Sequence, residues 1–294
     1  MLANDRNPEV DAAPSASPLS RVRVSVVIPT LNEAKNLPHV LTRLPPAVFE
    51  VIVVDGGSTD GTVDVARRLR DDVRVLHQPG RGKGNALLHA FAACRGDVVV
   101  AIDADGSTDP AEIPVFVGAL LAGADFAKGS RFATGAGSSD ITRMRWYGNR
   151  LLQRMVNAFY GTRYTDLCYG YNAFWARHTG AFASRDATTS TNGSTRRMPL
   201  GDGFEIETLI NVRIAKAGLR VVEVPSYEGE RIHGTSRLNA ARDGLRALRV
   251  IAFEWRRSGE VVGLTGAVAS AAPVVEQCLE HAAWDCFCPV GATA

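Results

Sequence analysis

Apolar positions between Arg21 and about Gly129 fall into two alternating kinds of run. Short, near-continuous runs rich in Val and Ile occupy Val22–Pro29, Glu50–Asp55, Val73–His77, Asp97–Ile102 and Ala124–Lys128. Parallel strands covered on both faces require such runs. Helical spacing fills the gaps, at Glu33–Leu44, Thr62–Arg70, Asn85–Arg95 and Ala111–Ala122. This alternation predicts an α/β domain: a Rossmann-like, mostly parallel sheet flanked by helices.

The pattern loosens after Gly129. A helix is predicted at Met144–Tyr160, beside or carrying Arg143, Arg145, Arg150 and Arg154. A strand follows at Tyr169–Ala176, then a helix at Gly203–Ala217 stopped by Gly218. Leu219–Val224 reads as a strand ended by Pro225. Asn239–Arg257 reads as a helix with an apolar stripe (Ala241, Leu245, Leu248, Ala252, Trp255) and a basic one (Arg242, Arg246, Arg249). One large domain over 21–258 is therefore expected, with an irregular second half. The Ser/Thr/Asn/Gly-rich stretch Asp186–Arg197 reads as a loop. Residues 259–294 read as a weakly structured tail. Residues 1–20, with Asp5, Glu9, Asp11 and three prolines, read as a disordered arm and not a signal peptide.

Ligands of open parallel sheets bind beyond the carboxyl ends of the strands. Four strands in succession deliver polar loops to that edge: Pro29-Thr30-Leu31-Asn32-Glu33, Asp55-Gly56-Gly57-Ser58-Thr59-Asp60-Gly61-Thr62, Gln78-Pro79-Gly80-Arg81-Gly82-Lys83-Gly84, and Asp103-Ala104-Asp105-Gly106. One such loop would be a turn; four at one edge describe a site.

Charge narrows the partners. Thirty-three Lys and Arg against 31 Asp and Glu leave +2, so no basic excess points to nucleic acid. Five cysteines give no disulfide framework and fit a reducing compartment. Cys278, His281, Cys286 and Cys288 have metal-ligand chemistry but no standard finger spacing. The uncharged stretch Val261–Val275 is shorter than the roughly 18 apolar residues of a span. A cytoplasmic protein is expected, peripheral at most to the inner membrane face.

Asp103 and Asp105 can share a hard divalent ion, Mg2+ or Mn2+, with phosphate oxygens completing its shell; a solvated turn is the plainer alternative. Asp55 suits the N–H groups of a nucleobase. Glu33 suits a ribose hydroxyl or, equally, the charge of a helix's first turn. Arg81 and Lys83 sit in a Gly-rich loop before a helix, a phosphate-facing arrangement. The loop is not a P-loop, and no G-x-G-x-x-G follows the first strand.

V-S-V-V-I-P-T-L-N-E, V-I-V-V-D-G-G-S-T-D-G-T, G-K-G-N-A, I-D-A-D-G and K-G-S-R-F, in that order, resemble family 2 glycosyltransferases of the GT-A fold. The chain is most similar there to the dolichyl- or polyprenyl-phosphate mannosyltransferase group, from about Arg21 to Trp255. The resemblance implies a nucleotide-binding half to about residue 130 and an acceptor half over 131–258. It implies that Pro29, Thr30, Asn32, Glu33 and Asp55 hold the nucleoside, that Lys83 lies near the nucleotide, and that Asp103 and Asp105 are the metal-binding DxD. Arg131 would face sugar or acceptor phosphate. Arg231, His233 and Arg237, in R-I-H-G-T-S-R-L, would close over the phosphates. Asp202, in G-D-G-F-E-I-E, falls where inverting members place a base, with a helix N-cap as the rival role; Glu205 and Glu207 would orient neighbours. One departure stands out: lipid-phosphate enzymes of this group show an arginine in a G-F-R-like strand, where this chain has Gly170-Tyr171-Asn172.

The expected activity is inverting transfer of a hexose from a GDP- or UDP-sugar to a polyprenyl-phosphate-type acceptor. A hydroxyl of a soluble metabolite is the alternative acceptor. A sugar-phosphate nucleotidyltransferase or a nucleotide-binding module without turnover fits the loops less well.

Overall fold

The structure, a computed structural model, describes residues 18–182, 201–257 and the strand 269–270. The expected loop at 186–197, the Cys/His tail residues and nearly all of the expected arm lie outside the described residues. The last three residues of that arm form a 3-10 turn, Pro18–Ser20, whose Leu19 is buried in the core.

In chain order the elements are β1 (Val24–Thr30), α1 (Leu37–Leu41), β2 (Glu50–Asp55), α2 (Thr62–Leu69), β3 (Arg74–His77), α3 (Lys83–Ala93), β4 (Val98–Ala101), α4 (Ile113–Leu121) and β5 (Phe126–Ser130). There follow β6 (Gly137–Ser138), α5 (Arg143–Tyr160), β7 (Asn172–Trp175), α6 (Thr179–Phe182), α7 (Ile206–Lys216), β8 (Val221–Pro225), β9 (Tyr227–Glu228), α8 (Ala240–Arg256) and β10 (Ala269–Ser270). The main sheet has the order β10-β8-β5-β7-β4-β1-β2-β3. All its pairings are parallel except those of β7, which runs against both β4 and β5. β6 and β9 form a separate small pair. The mostly parallel α/β fold expected from the pattern is what forms.

Alternation along each strand sends neighbours to opposite faces. Val24, Val26 and Ile28 of β1 face a layer containing α1 and α4, with Leu37, Val40, Ile113, Phe116 and Val117. Val27, Ile52, Val54 and Val99 face the other layer, with Leu87 and Phe91 of α3, Leu152 and Val156 of α5, and residues of α7 and α8. Both faces are covered, which explains the continuous apolar runs.

Two helices are shorter than their patterns. The run Glu33–Leu44 is helical only over Leu37–Leu41, because Asn32 takes a positive φ of 57° and Glu33 to Asn36 form a turn. Gly203 to Glu205 stay outside α7, since the Glu205 carboxylate accepts from the amides of Gly201 and Gly203.

At the edge remote from the polar loops, Glu50 is buried opposite Ser25. It accepts from the Ser25 hydroxyl (2.8 Å), the Arg95 amide (3.0 Å), the Arg95 guanidinium (2.7 Å) and Arg74. Burial favours the neutral acid, but these donors outweigh it and hold the Glu50 carboxyl down at about 2. A depressed carboxyl stabilises the fold above its unfolded pKa of 4.5, and that stability is lost as pH falls towards about 2. Glu50→Gln should therefore lower stability at neutral pH and flatten its decline over that acid range. Urea unfolding across the range checks it; an unaltered acid limb counts against Glu50 as its source.

Candidate active site

Register places the candidate loops side by side. Thr30 pairs with Asp55, and Asp55 with His77, at the carboxyl ends of β1, β2 and β3. Asp103 and Asp105 follow β4 directly. Because β7 is antiparallel, its beginning reaches the same edge: Asn172 pairs with both Ala101 and Lys128, so Cys168 to Gly170 enter the site.

Several predicted nucleoside ligands turn out to hold the loops. The Asn32 carboxamide oxygen accepts from the Thr59 amide (2.8 Å), and its own amide donates to Ser58 Oγ (2.8 Å). Both oxygens of Asp55 accept from turn amides, Gly57 at 3.0 Å and Ser58 at 3.1–3.2 Å. Asp55 is thus an Asx-turn acceptor, contrary to the expectation of a spare carboxylate. Neither Asn32 nor Asp55 is among the residues lining the central cavity, whereas Pro29, Thr30 and Glu33 are.

Lys83 is the first residue of α3 and lines the cavity with its ammonium held by carboxylates. Its Nζ lies 2.7 Å from Asp103 and 2.8 Å from Glu207. Burial would favour the neutral amine, but the two carboxylates outweigh it and raise its pKa. Burial raises the Glu207 carboxyl, and Lys83 pulls it back. Gly170 completes the pocket: a Cβ there would stand 2.8 Å from Lys83 Nζ. The flanking Gly82 and Gly84 serve a backbone contact. A Cβ on either would collide with the carbonyls of Asp202 and Gly201, and the Gly84 amide donates to the Asp202 carbonyl (2.9 Å).

The second aspartate has its own cation. Asp105 Oδ1 accepts from the Ser107 amide and hydroxyl, while Oδ2 lies 3.5 Å from Arg231. Arg231 also donates to both oxygens of Glu33 (3.1 Å). Asn36 ties Glu33 (2.6 Å) to the His233 carbonyl (3.0 Å). The segment after β9 therefore lies across the loops that follow β1 and β4, its Ile232 amide on the Asp105 carbonyl (3.2 Å). Arg231 and Arg237 line the cavity. The His233 ring does not; it lies against His39, centroids 5.8 Å apart.

Arg131 is buried and chelated by carboxylates: Asp166 through Nε (2.7 Å) and an Nη (3.0 Å), and Glu228 through the other Nη (3.0 Å). The Tyr169 ring lies 5.0 Å from its guanidinium carbon. The predicted phosphate contact is thus an internal ion-pair hub that touches the cavity wall.

Asp202 is half-buried and does not line the cavity. It is not the cap of α7 either: the N-cap is Glu205, and the Asp202 carbonyl instead serves the start of α3. The acidic residue that does face the cavity is Glu207, which the sequence reading took only as a neighbour-orienting group. Its signal was a carboxylate in a helix whose adjoining Ile206, Thr208, Leu209 and Ile210 are all buried.

These residues surround one cavity of about 940 Å³. Eight carboxylates against six Lys and Arg side chains line it, so a diphosphate would meet a net negative wall. Hard carboxylate oxygens of Asp103 and Asp105 remain partly accessible, which fits a divalent ion. Among the described residues no three His, Cys, Asp or Glu side chains cluster as a closed metal site, which leaves coordination positions for substrate and water oxygens. Arg81 and Arg237 line the cavity without a carboxylate partner among the described residues. Beyond Arg237 the wall is mixed: Met144, Gly148 and Leu152 of α5 and Ala240, Gly244 and Ala247 of α8 line it together with Arg145, Asn149 and Asp243.

Comparison with known proteins gives the family. Residues 25–188 match the family described as glycosyl transferase family 2. The undecaprenyl-phosphate mannosyltransferase of Micrococcus luteus is 34% identical over 261 residues, covering 83% of this chain and 100% of that one. The polyprenol monophosphomannose synthase of Mycolicibacterium smegmatis is 33% identical over 261 residues, covering 84% and 91%. The glucosyl-3-phosphoglycerate synthase of Mycobacterium tuberculosis, crystallised with Mn2+, UDP-glucose and phosphoglyceric acid, aligns with a TM-score of 0.60 and 25% identity over 81% of this chain and 82% of that one. The sheet with its loaded carboxyl edge is the GT-A fold, and the chain is a glycosyltransferase belonging to family 2.

Proposed function

We propose that this glycosyltransferase moves a hexose, with inversion, from a GDP- or UDP-linked donor to the phosphate of a polyprenyl-phosphate-type acceptor presented at a membrane face. The observation that carries the reading is the cavity itself: the one cavity that holds the charged donor end also has a partly apolar limb, lined by Met144 and Leu152 of α5 and Ala240 and Ala247 of α8. A soluble phosphorylated metabolite has no use for that limb; an isoprenoid chain does. The M. luteus and M. smegmatis relatives are named for lipid-phosphate acceptors.

The donor diphosphate lies over Asp103 and Asp105, which would hold Mg2+ or Mn2+; the ion, when bound, neutralises charge building on the leaving nucleoside diphosphate. Arg81 faces the donor phosphates and Arg237 the acceptor phosphate. An acceptor phosphate oxygen, already anionic at neutral pH, attacks the anomeric carbon from the face opposite the leaving group. The new C–O bond forms as the bond to the nucleotide phosphate breaks, and no proton has to be removed. Arg231 and the segment around it close the donor end.

Two observations favour a soluble acceptor instead: the synthase aligned above was crystallised with phosphoglyceric acid, and Gly170-Tyr171-Asn172 lacks the arginine of the lipid-phosphate group. Incubation with radiolabelled GDP- and UDP-hexoses, Mn2+ and polyprenyl phosphate decides between them. Label passing into the organic phase is expected; label confined to water-soluble product would overturn the lipid acceptor.

The acceptor also fixes what Asp202 does. Asp202→Asn should stay folded and keep single-turnover transfer within an order of magnitude of wild type. A hydroxyl acceptor served by Asp202 would lose roughly 10²–10⁴ in rate. A folded variant slowed a thousandfold would transfer the preference to a hydroxyl acceptor.

A further inference from the structure

Three charged groups from distant parts of the chain meet on the cavity wall. Lys83 opens α3, Asp103 follows β4, and Glu207 lies in the first turn of α7. The Lys83 ammonium lies 2.7 Å from Asp103 Oδ1 and 2.8 Å from Glu207 Oε1. All three converge over Gly170, where a Cβ would stand 2.8 Å from the ammonium and 3.3 Å from both Asp103 Oδ2 and Glu207 Oε1. Only a residue without a side chain leaves them that space. The Phe204 ring, its centroid 6.0 Å from the ammonium, adds an aromatic face.

The two carboxylates differ in what they can reach. The Asp103 side chain keeps 29% of its surface exposed and belongs to the pair that suits a divalent ion. The Glu207 side chain keeps 5% and sits among the buried residues of α7. Among the described residues Lys83 is the one cation paired with either. A structural ion pair needs one acid for each base, and burying a second acid is costly. Here two acids share one ammonium, and that ammonium rests on a carboxylate proposed to hold metal. A second cation on Asp103 would be repelled by it at close range.

We infer that Glu207 is a positioning residue that makes Lys83 an exchangeable counterion of Asp103. In the free enzyme the ammonium neutralises Asp103. When a divalent ion is held by Asp103 and Asp105, Lys83 yields Asp103, stays anchored on Glu207, and turns its other N–H groups to the donor diphosphate. An ammonium has three donors, enough for Glu207 and two phosphate oxygens. No covalent bond changes; only the partner of the charge does. Lys83 thus becomes available to the donor's phosphates once Asp103 has another cation, which couples metal binding to donor binding. Without Glu207 the lysine has only Asp103 to hold, and competes with the metal. The inference rests on the metal reading of Asp103 and Asp105 and deepens it, but the two fail separately.

The test is titration of the full chain with Mn2+ alone, the free ion read by electron paramagnetic resonance. Glu207→Gln should weaken Mn2+ binding several-fold, although Glu207 is not a ligand. Lys83→Met combined with Glu207→Gln buries neither charge, so it should fold, and it should bind Mn2+ roughly tenfold tighter than wild type because Asp103 has lost its competitor. Loss of a merely structural ion pair would not tighten metal binding. With Mn2+ saturating, calorimetry should show GDP or UDP bound roughly tenfold more weakly by the double variant, which lacks the cation that wild type turns to the diphosphate. A double variant that binds Mn2+ no tighter than wild type, a Glu207→Gln variant that binds it as well as wild type, or unchanged nucleotide affinity in the double variant would each overturn the inference and leave the metal reading standing. Wild type that binds no Mn2+, with or without nucleotide, would overturn both.

Discussion

Asp105→Ala is expected to cost on the order of 10³ in single-turnover transfer and to weaken donor binding with little loss of fold. The magnitude follows from the several kcal/mol that a divalent ion supplies to a developing phosphate charge, at about 1.4 kcal/mol per tenfold. Geometry explains why the fold survives. Asp105 gives one oxygen to the Ser107 turn, and the other only reaches Arg231 at 3.5 Å, while Glu33 holds Arg231 bidentately. With carboxylates already in excess around the cavity, the diphosphate needs charge that the side chains alone do not provide. Calorimetry of donor binding in Mn2+ and in EDTA checks the metal requirement independently of turnover. Equal affinity of the wild type in both would remove the metal role of this pair, whatever the variant does to the rate.

Arg131→Met should lower unfolding free energy by about 3–5 kcal/mol, the usual consequence of removing one partner from a buried ion pair. Asp166 is buried, and burial would favour its neutral form, yet Arg131 holds its carboxyl below the usual range. Without the guanidinium Asp166 loses its paired cation, and among the described residues Glu228 keeps the Ser138 hydroxyl (2.5 Å) and Arg145 at 4.0 Å. Arg131→Lys should recover little, because one ammonium cannot replace a fork that reaches two carboxylates at once. Urea midpoints of the three proteins decide it. A fully stable Arg131→Met variant with weakened acceptor saturation would return Arg131 to the phosphate-binding role that its motif suggests.

Much of this molecule could be read from the chain. Apolar runs from β1 to β5 are continuous because helices cover both faces, and a run covered on both faces has a signature that needs no partner sequence. The polar edge was legible for the same reason: a parallel sheet puts successive strand ends together. Direction was not legible in β7. Asn172–Trp175 carries the same apolar pattern whichever way it runs, and only its neighbours β4 and β5 fix it. Roles within motifs were hidden likewise. Arg131 finds Asp166 and Glu228, 35 and 97 residues away, so nothing local marks it as an ion-pair hub. Asp55 and Asn32 sit in a motif that names a ligand, yet their side chains meet amides of the adjoining loop, a geometry that motif spelling does not carry. The carboxylate partners of Lys83 were not legible either: Gly82 and Gly84 admit the Gly201–Gly203 backbone, and the lysine, still on the cavity wall, binds Asp103 and Glu207.

The reversed strand also bears on how the molecule is made. Strands β1 to β4 pair only with one another, apart from the outer edge of β4. Emerging first from the ribosome, they can assemble as a unit. β5 cannot join them, because its two partners, β7 and β8, are still to be synthesised. Until residue 175 is out, one edge of β4 and both edges of β5 wait for later strands, open to pairing with other chains. Residue 130 is therefore no boundary of folding. A fragment ending there would hold most of the donor loops and still lack the strand that closes the sheet. Completing that sheet requires contacts between β5 and β8 across about a hundred residues, a long closure that slows the final step of folding.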